Sequence, residues 1–332
     1  MLASLFLGVH LLLPLAGGLE ATAEALARAT WWLPSVLLVL EAGSFWAHGE
    51  LLLVAVRGAG ERPPRNLIQR STVVGASLGK TMPGGSATAM AMIVATLRPH
   101  GLSGARVTAG LAAAGAVSWA TLSLLVPVGV VLAVIGGQTG AMALGAVVFA
   151  AGAVGGAAFV PVALRRPERA GALVEHVVAS IARGRVRRWV DPAKLGSLVS
   201  TGIASAAQLV RNRRAVAAAG AWALANWLLD FMVLLTLTAS IGGETALLPL
   251  LLVYVVGQLL AAVPITPGGV GVVEATMTGM LVAAGAPAGE AIAAVLGYRL
   301  VSHWLPIVVG LLFFPTLVVS RRRAVRAGET KS

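Results

Sequence analysis

The chain contains no cysteine, which excludes disulfides and every thiolate metal site. Charge is scarce: 11% of the 332 residues are Asp, Glu, Lys or Arg, against about 25% in a typical soluble domain. Acidic residues are the scarcer sign, 13 against 25 basic ones, and only Lys80, Lys194 and Lys331 are lysine. A chain with so few polar groups, 58% hydrophobic and with mean hydropathy +0.88, cannot cover its own surface with them. Lipid is therefore its solvent over most of its length. Short catalytic signatures are missing too. There is no H-E-x-x-H and no G-x-x-x-x-G-K-[ST], and Gly84-Gly85-Ser86-Ala87 is not the nucleophile turn of a serine protease. No catalytic residue, cofactor, metal or nucleic-acid partner is expected. The dominance of arginine over lysine, with abundant Ala and Gly, points to a GC-rich bacterial genome.

What the sequence has instead is long apolar runs. A helix needs about 20 apolar residues to cross the hydrocarbon core. Candidates are 2–19, 31–56, 104–135, 140–164, 214–241 and 288–319. Residues 2–19 lack a basic leading region and a small-residue cleavage site, so a retained first span is expected rather than a signal peptide. Two further stretches, 67–98 and 245–284, are each interrupted by Pro-Gly-Gly. Their short halves favour re-entrant helical hairpins, although full crossings would leave the loops on the same sides.

The formal charge of +12 reads as a topology signal. Between Leu164 and Ala215 lie eleven basic residues and three acidic ones; five more basic residues follow Ser320. The loops 17–30, 136–140, 242–246 and 284–290 hold only Arg28 against Glu20, Glu24, Glu244 and Glu290. By the positive-inside rule the first group is cytoplasmic, which places both termini inside. The expected fold class is an all-α polytopic integral membrane protein. It comprises about six full spans plus two broken re-entrant hairpins in inverted-topology repeats. The expected transmembrane domain is 1–320, with a basic cytoplasmic tail at 321–332 and a basic loop at 165–213. In that loop Asp191-Pro192 fits a helix start, and Leu195, Leu198, Val199, Ile203, Ala206 and Leu209 recur at helical spacing. Two readings stay open: an interfacial helix on anionic lipid headgroups at the cytoplasmic face, or a connector.

The broken segments resemble each other. Thr81-Met82-Pro83-Gly84-Gly85 matches Ile265-Thr266-Pro267-Gly268-Gly269, and a turn glycine, Gly101 or Gly285, follows each proline by 18 residues. A long helix then carries Ser118-Trp119 in one copy and Ser302-His303-Trp304 in the other. The copies, about 31–135 and 214–319, run in opposite directions by the charge argument. Inverted repeats with broken helices mark the binding site of many transporters. Proline removes a backbone donor and glycine permits reversal, so each second half-helix is expected to begin inside the membrane with bare N–H groups that can receive a phosphate. The bland alternative is a pair of packing kinks.

Charges inside a bilayer are costly and usually face an interior cavity. Here they are Glu41, His48, Lys80, Asp230, Glu274, Arg299 and His303, with Asn226 and Gln258 as polar companions. The expected substrate-binding set is Lys80, Pro83, Gly84, Gly85, Ser86, Pro267, Gly268, Gly269, Glu274 and Arg299. Arg299 and Lys80 would meet a phosphate; Glu274 would meet a cationic group or pair with Arg299 as a structural ion pair. Arg299 and His303, four apart, are expected on one helix face. Asp230 and His303 are candidates for proton coupling. An interior hydrogen-bonded histidine is the plainer reading of His303.

The stretch Pro264-Ile265-Thr266-Pro267-Gly268-Gly269-Val270-Gly271-Val272-Val273-Glu274 is followed by the Gly285 turn, then Gly297-Tyr298-Arg299-Leu300 and Trp304-Leu305-Pro306 with Gly310 behind. It resembles the lysylphosphatidylglycerol synthase transmembrane (flippase-like) family, and Leu78–Gly85 resembles that family's first broken helix. The resemblance covers essentially the whole chain and is most specific in its second half. It implies a domain that moves phospholipid, often aminoacylated, between leaflets, with Glu274 and Arg299 at the family's acidic and arginine positions. It also implies a member without the cytosolic aminoacyl-transferase domain, working beside a separate lipid-modifying enzyme. The expected function is thus lipid translocation, without enzymatic activity, in the bacterial plasma membrane. The rivals are a membrane-embedded transferase or accessory subunit for lipid-linked sugars, and a small-solute transporter.

Overall fold

The structure is a computed structural model that describes residues 31–82, 85–135, 166–181, 191–210, 212–241, 247–262 and 267–329. Among these, every regular element is helical. In chain order they are α1 (Leu33–Gly58), α2 (Arg65–Thr81), α3 (Gly85–Leu97), a 3-10 turn at Arg98–His100, α4 (Gly104–Ile135), α5 (Pro167–Ile181) and α6 (Pro192–Val210). Then come α7 (Arg213–Ile241), α8 (Leu247–Ala262), a 3-10 turn at Pro267–Gly269, α9 (Val272–Ala283), α10 (Ala288–Arg299), a π-helical turn at Leu300–Trp304 and α11 (Leu305–Glu329). Among the described residues four helices are long and apolar enough to cross a bilayer: Leu33–Gly58, Gly104–Leu125, Arg213–Ile241 and the run Ala288–Ala324. They coincide with the expected spans at 31–56, 104–135, 214–241 and 288–319. The spans expected at 2–19 and 140–164 lie outside the described residues. Large apolar side chains such as Val39, Leu124 and Leu312 are exposed on these helices, the pattern of a surface that lipid rather than water covers.

The chain divides into two compact units. The first is built from the described residues of Met1–Ser44, Leu122–Val154 and Asn226–Val308. Its core gathers Leu37, Leu122, Leu234, Tyr254, Met277 and Val295. Within it, α1 and α7 are tied by a small polar pair: Asn226 Nδ2 donates to Ser44 Oγ at 2.8 Å and to the Ser44 carbonyl at 3.1 Å. Such bonds join helices where apolar burial gives no preference between helix and lipid. The second unit is built from the described residues of Phe45–Thr121, Gly155–Ala225 and Val309–Ser332. Its core gathers Leu51, Val56, Ile68, Leu97, Leu111 and Leu317. Here α1 and α4 touch backbone to backbone, since a Cβ on Gly110 would stand 2.6 Å from Val56 Cα.

Each unit holds one broken segment, and in each the two halves pack side by side. In the second unit α2 meets α3 where Gly79 lies against the Gly85 carbonyl, at 3.0 Å from a built Cβ. In the first unit α8 meets α9 where Gly257 receives the side chain of Met277. The four halves have 17, 13, 16 and 12 residues. At about 1.5 Å per residue, each falls short of a hydrocarbon core about 30 Å thick. Both turn glycines picked out by spacing adopt left-handed backbone, Gly101 at φ 81° and Gly285 at φ 101°.

The basic loop departs from the expected single helix. Asp191 does start α6, its Oδ1 accepting from the N–H groups of Ala193 and Lys194 at 3.1 and 3.3 Å. But α6 packs against α5, and the two cross where Gly171 and Gly196 face each other's carbonyl oxygens. Side chains would hold these backbones apart, so the pairing was written in two glycines rather than in hydrophobic spacing. The backbone N–H of Lys194 holds the Asp191 carboxyl below the usual carboxylate range. A group with a lowered value contributes stability above its ordinary titration range and loses it on acidification. Asp191→Ala is therefore expected to lower the amide-exchange protection factors at residues 193–196 at neutral pH, and acidifying the wild type below the carboxylate range should lower the same protection factors, each taken relative to the intrinsic rate at that pH.

Candidate functional site

The second Pro-Gly-Gly builds a loop that only glycine permits. Gly268, Gly269 and Gly271 all have positive φ, at 64°, 69° and 89°. At Gly269 a Cβ would also stand 2.6 Å from Val273 Cγ2 and 3.0 Å from Ala261 Cα. Gly269→Ala should therefore cost about 2–4 kcal/mol, from the left-handed backbone and overpacking together. Thermal unfolding in detergent followed by size-exclusion chromatography checks this. A drop no larger than that for an Ala substitution at the open Gly279 would contradict it.

This loop delivers Glu274 to the third position of α9. Its Oε2 accepts from the Gly271 N–H at 2.7 Å, and its Oε1 accepts from Arg299 Nε, also at 2.7 Å. Arg299 Nη2 in turn donates to the Gly268 carbonyl at 2.9 Å. The carboxylate is fully buried, and the arginine nearly so. The pair thus clasps the loop, α9 and α10 together, each charge satisfied by the other and by backbone. One donor at the start of α9, the Gly271 N–H, is taken by the protein's own carboxylate, which lies at the helix's positive end. The three-residue spacing from Gly271 to Glu274 is the signal that would have shown this.

Arg299 is the last residue of α10, and the helix then widens into the π turn, with the Leu305 N–H reaching the Leu300 carbonyl. Arg299 and His303 are therefore not on one regular helical face. His303 is buried in this turn, its ring edge-on to Trp304 at 5.1 Å between centroids. Single π turns recur at functional sites.

Beside the clasp, in the same unit, lies a second polar cluster that the sequence only half disclosed. Asp230 Oδ2 accepts from Tyr254 Oη at 2.8 Å, Gln258 Nε2 at 2.9 Å and Tyr298 Oη at 2.9 Å. The two tyrosines are the only ones in the chain, and both are buried. Three donors on one oxygen replace the water that a carboxylate loses on entering a membrane. Asp230 and Gln258 stood out as polar residues in apolar runs. The tyrosines did not, because tyrosine is unremarkable in a membrane helix. Their rarity, and their place inside the chain's apolar runs rather than at the ends, was the available signal.

Of the remaining expected residues, Pro83 and Gly84 lie outside the described residues, and Pro267 opens the 3-10 turn before α9. Lys80, Gly85 and Ser86 belong to the second unit. Lys80 sits in the last turn of α2, where a cation complements the helix end, and its Nζ lies 5.6 Å from the centre of the Phe45 ring. The second unit also holds a buried carboxylate absent from the expected set. Glu50 accepts from Arg65 Nη2 and Gln69 Nε2, both at 2.9 Å. Arg65 and Gln69 are four apart on α2, one face of a helix. Among the described residues, no three His, Asp or Glu side chains stand close enough to hold a metal ion.

The family described as the lysylphosphatidylglycerol synthase TM region matches residues 1–310 of this sequence. The chain belongs to this family. With four long apolar helices among the described residues, family membership makes it a multi-pass membrane protein. Curated relatives include a UPF0104 membrane protein of Methanothermobacter thermautotrophicus, 33% identical over 89 residues, which are 27% of this chain and 25% of the relative. Another is a UPF0104 membrane protein of Pyrococcus horikoshii, 25% identical over 103 residues, 31% of each chain. Each match spans about a quarter to a third of the relative's length. Both relatives are archaeal.

Proposed function

We propose that this family member is a lipid translocase of the flippase type, without enzymatic activity, moving an anionic or aminoacylated phospholipid between leaflets. The observation that carries the reading is the buried Glu274–Arg299 clasp at a break in a helix too short to span. Buried ion pairs are weak sources of stability, and charges at membrane depth are rare unless function uses them. In the proposed cycle a lipid phosphate competes with the Glu274 carboxylate for the planar fork of Arg299, which suits either anion. The amine of an aminoacylated headgroup then takes the place of the arginine at Glu274. The headgroup passes the clasp at this break while its tails remain in lipid. Asp230, with its three donors, and His303 are the candidates for coupling to protons.

The lengths of the four half-helices favour re-entry over full crossings, for about six spans and two hairpins in all. The charge distribution puts both termini in the cytoplasm. The arginine-rich, Ala- and Gly-rich composition favours a bacterial plasma membrane, beside relatives from archaea. A separate enzyme would supply any aminoacylated substrate. The test is translocation in proteoliposomes: fluorescent phosphatidylglycerol and its lysyl ester are compared, by access to an external quencher, with phosphatidylcholine. Faster movement of either of the first two than of phosphatidylcholine supports the reading. No movement of any of the three by folded protein would overturn it as stated and turn attention to lipid-linked sugars.

A further inference from the structure

The second unit contains an open cleft of about 720 Å3, lined by Arg70, His100, Pro315, Thr316, Val319, Ser320, Arg323 and Ala324. No carboxylate lines it, and its two arginines make no ion pair among the described residues. Two acids of the same unit are engaged with other arginines: Glu50 with Arg65 at 2.9 Å, and Glu61 with Arg106 at 3.5 Å. His100 is fixed in place. Its Nδ1 donates to the Thr96 carbonyl at 3.0 Å, and its Nε2 stands 3.2 Å from Ser320 Oγ. Two arginines, from α2 and α11, face one opening beside the His100–Ser320 pair. Their guanidinium N–H groups are a donor set for a phosphate group.

The rest of the lining says what kind of phosphate. Pro315 and Val319 continue directly from Leu311, Leu312, Phe313 and Phe314, four consecutive exposed apolar residues of α11, Leu312 at 73%. From Leu312 to Arg323 is eleven residues, about 16 Å along a helix. An apolar wall leading into a cationic pocket over that distance matches one amphiphile, with its tails along the wall and its headgroup in the pocket. We infer that this cleft binds the phosphate of an anionic phospholipid, in the leaflet that the positive-inside rule assigns to the cytoplasmic side. The inference needs only that the chain resides in a bilayer. It does not depend on translocation, and Glu274 and Arg299 take no part in it.

The experiment is an equilibrium titration of the full chain in detergent with dioleoylphosphatidylglycerol, read by native mass spectrometry, with phosphatidylcholine as neutral control. Arg70→Gln/Arg323→Gln is expected to weaken phosphatidylglycerol binding roughly fivefold per arginine removed and to leave phosphatidylcholine unchanged. Arg70→Lys/Arg323→Lys should recover most of the loss. Arg166→Gln/Arg169→Gln, which removes two exposed cations elsewhere in the same unit, should change binding less than twofold. If the double Gln variant elutes aggregated, Arg323→Gln alone, at an exposed position near the end of α11, carries the comparison. Equal losses in the 70/323 and 166/169 variants would overturn the inference in favour of a diffuse basic surface. Displacement of the lipid by equimolar inorganic phosphate or glycerol phosphate would overturn it in favour of a soluble anion. Unchanged binding in the 70/323 variant would mean that no such site exists.

Discussion

Glu274→Gln and Arg299→Gln are each expected to abolish lipid translocation and to destabilise the fold by about 3–5 kcal/mol, the cost of leaving one buried charge without its partner. The two sides of the clasp are not equivalent. Losing the arginine strands a carboxylate that still holds the Gly271 N–H, next to a favourable helix end. Glu274→Gln removes the charge opposite a buried guanidinium and leaves one amide oxygen where two carboxylate oxygens served Arg299 and the Gly271 N–H. Glu274→Gln is therefore the more damaging of the two for the loop itself. The double variant Glu274→Gln/Arg299→Gln removes both charges together and should cost well under the sum of the singles, because contacting residues couple. It is the informative protein: folded, but without the groups that exchange partners with a headgroup. Proteoliposome transport and thermal unfolding, measured on the same four proteins, separate the effects. A folded double variant that still moves lipid at the wild-type rate would show the clasp to be structural only.

The second large effect is expected at Asp230. Asp230→Asn keeps an oxygen for the donors of Tyr254, Gln258 and Tyr298, so the helices α7, α8 and α10 should stay packed. It removes the charge that a coupling proton would neutralise. If Asp230 carries that proton, translocation driven by an imposed pH gradient should fall at least tenfold in Asp230→Asn, while exchange without a gradient continues near the wild-type rate. Tyr254→Phe and Tyr298→Phe provide the contrast. Each removes one hydrogen bond to a charged acceptor, worth about 1.5–3 kcal/mol, and should lower thermal stability while leaving the gradient response in place. Asp230→Asn that remains fully gradient-driven would assign the cluster to packing.

These residues also show how much of the fold and of the site is legible in the sequence. The number of apolar runs, their lengths and the sign of the loops between them follow from it, because lipid imposes a length and a polarity on any helix that crosses it. The breaks at Pro83 and Pro267 are legible for the same reason, since proline and two glycines interrupt a backbone whatever packs around it. Asp230, Glu274, Arg299 and His303 stand out as charges in apolar surroundings.

Their partners do not stand out, and these come from tertiary structure. That Glu274 caps Gly271 as well as binding Arg299 depends on the left-handed loop geometry at Gly268, Gly269 and Gly271. That both tyrosines meet at Asp230 depends on α7, α8 and α10 lying side by side, at separations of 24 and 68 residues that no periodicity encodes. The π turn after Arg299 shifts the register of a helix whose sequence reads as unbroken, so a four-residue spacing loses its usual meaning there. Sequence determined which residues must avoid lipid, because that is a property of each side chain and its solvent. Only the fold decided which of them meet, because two or three hydrogen bonds on one carboxylate are a matter of where distant backbones are held.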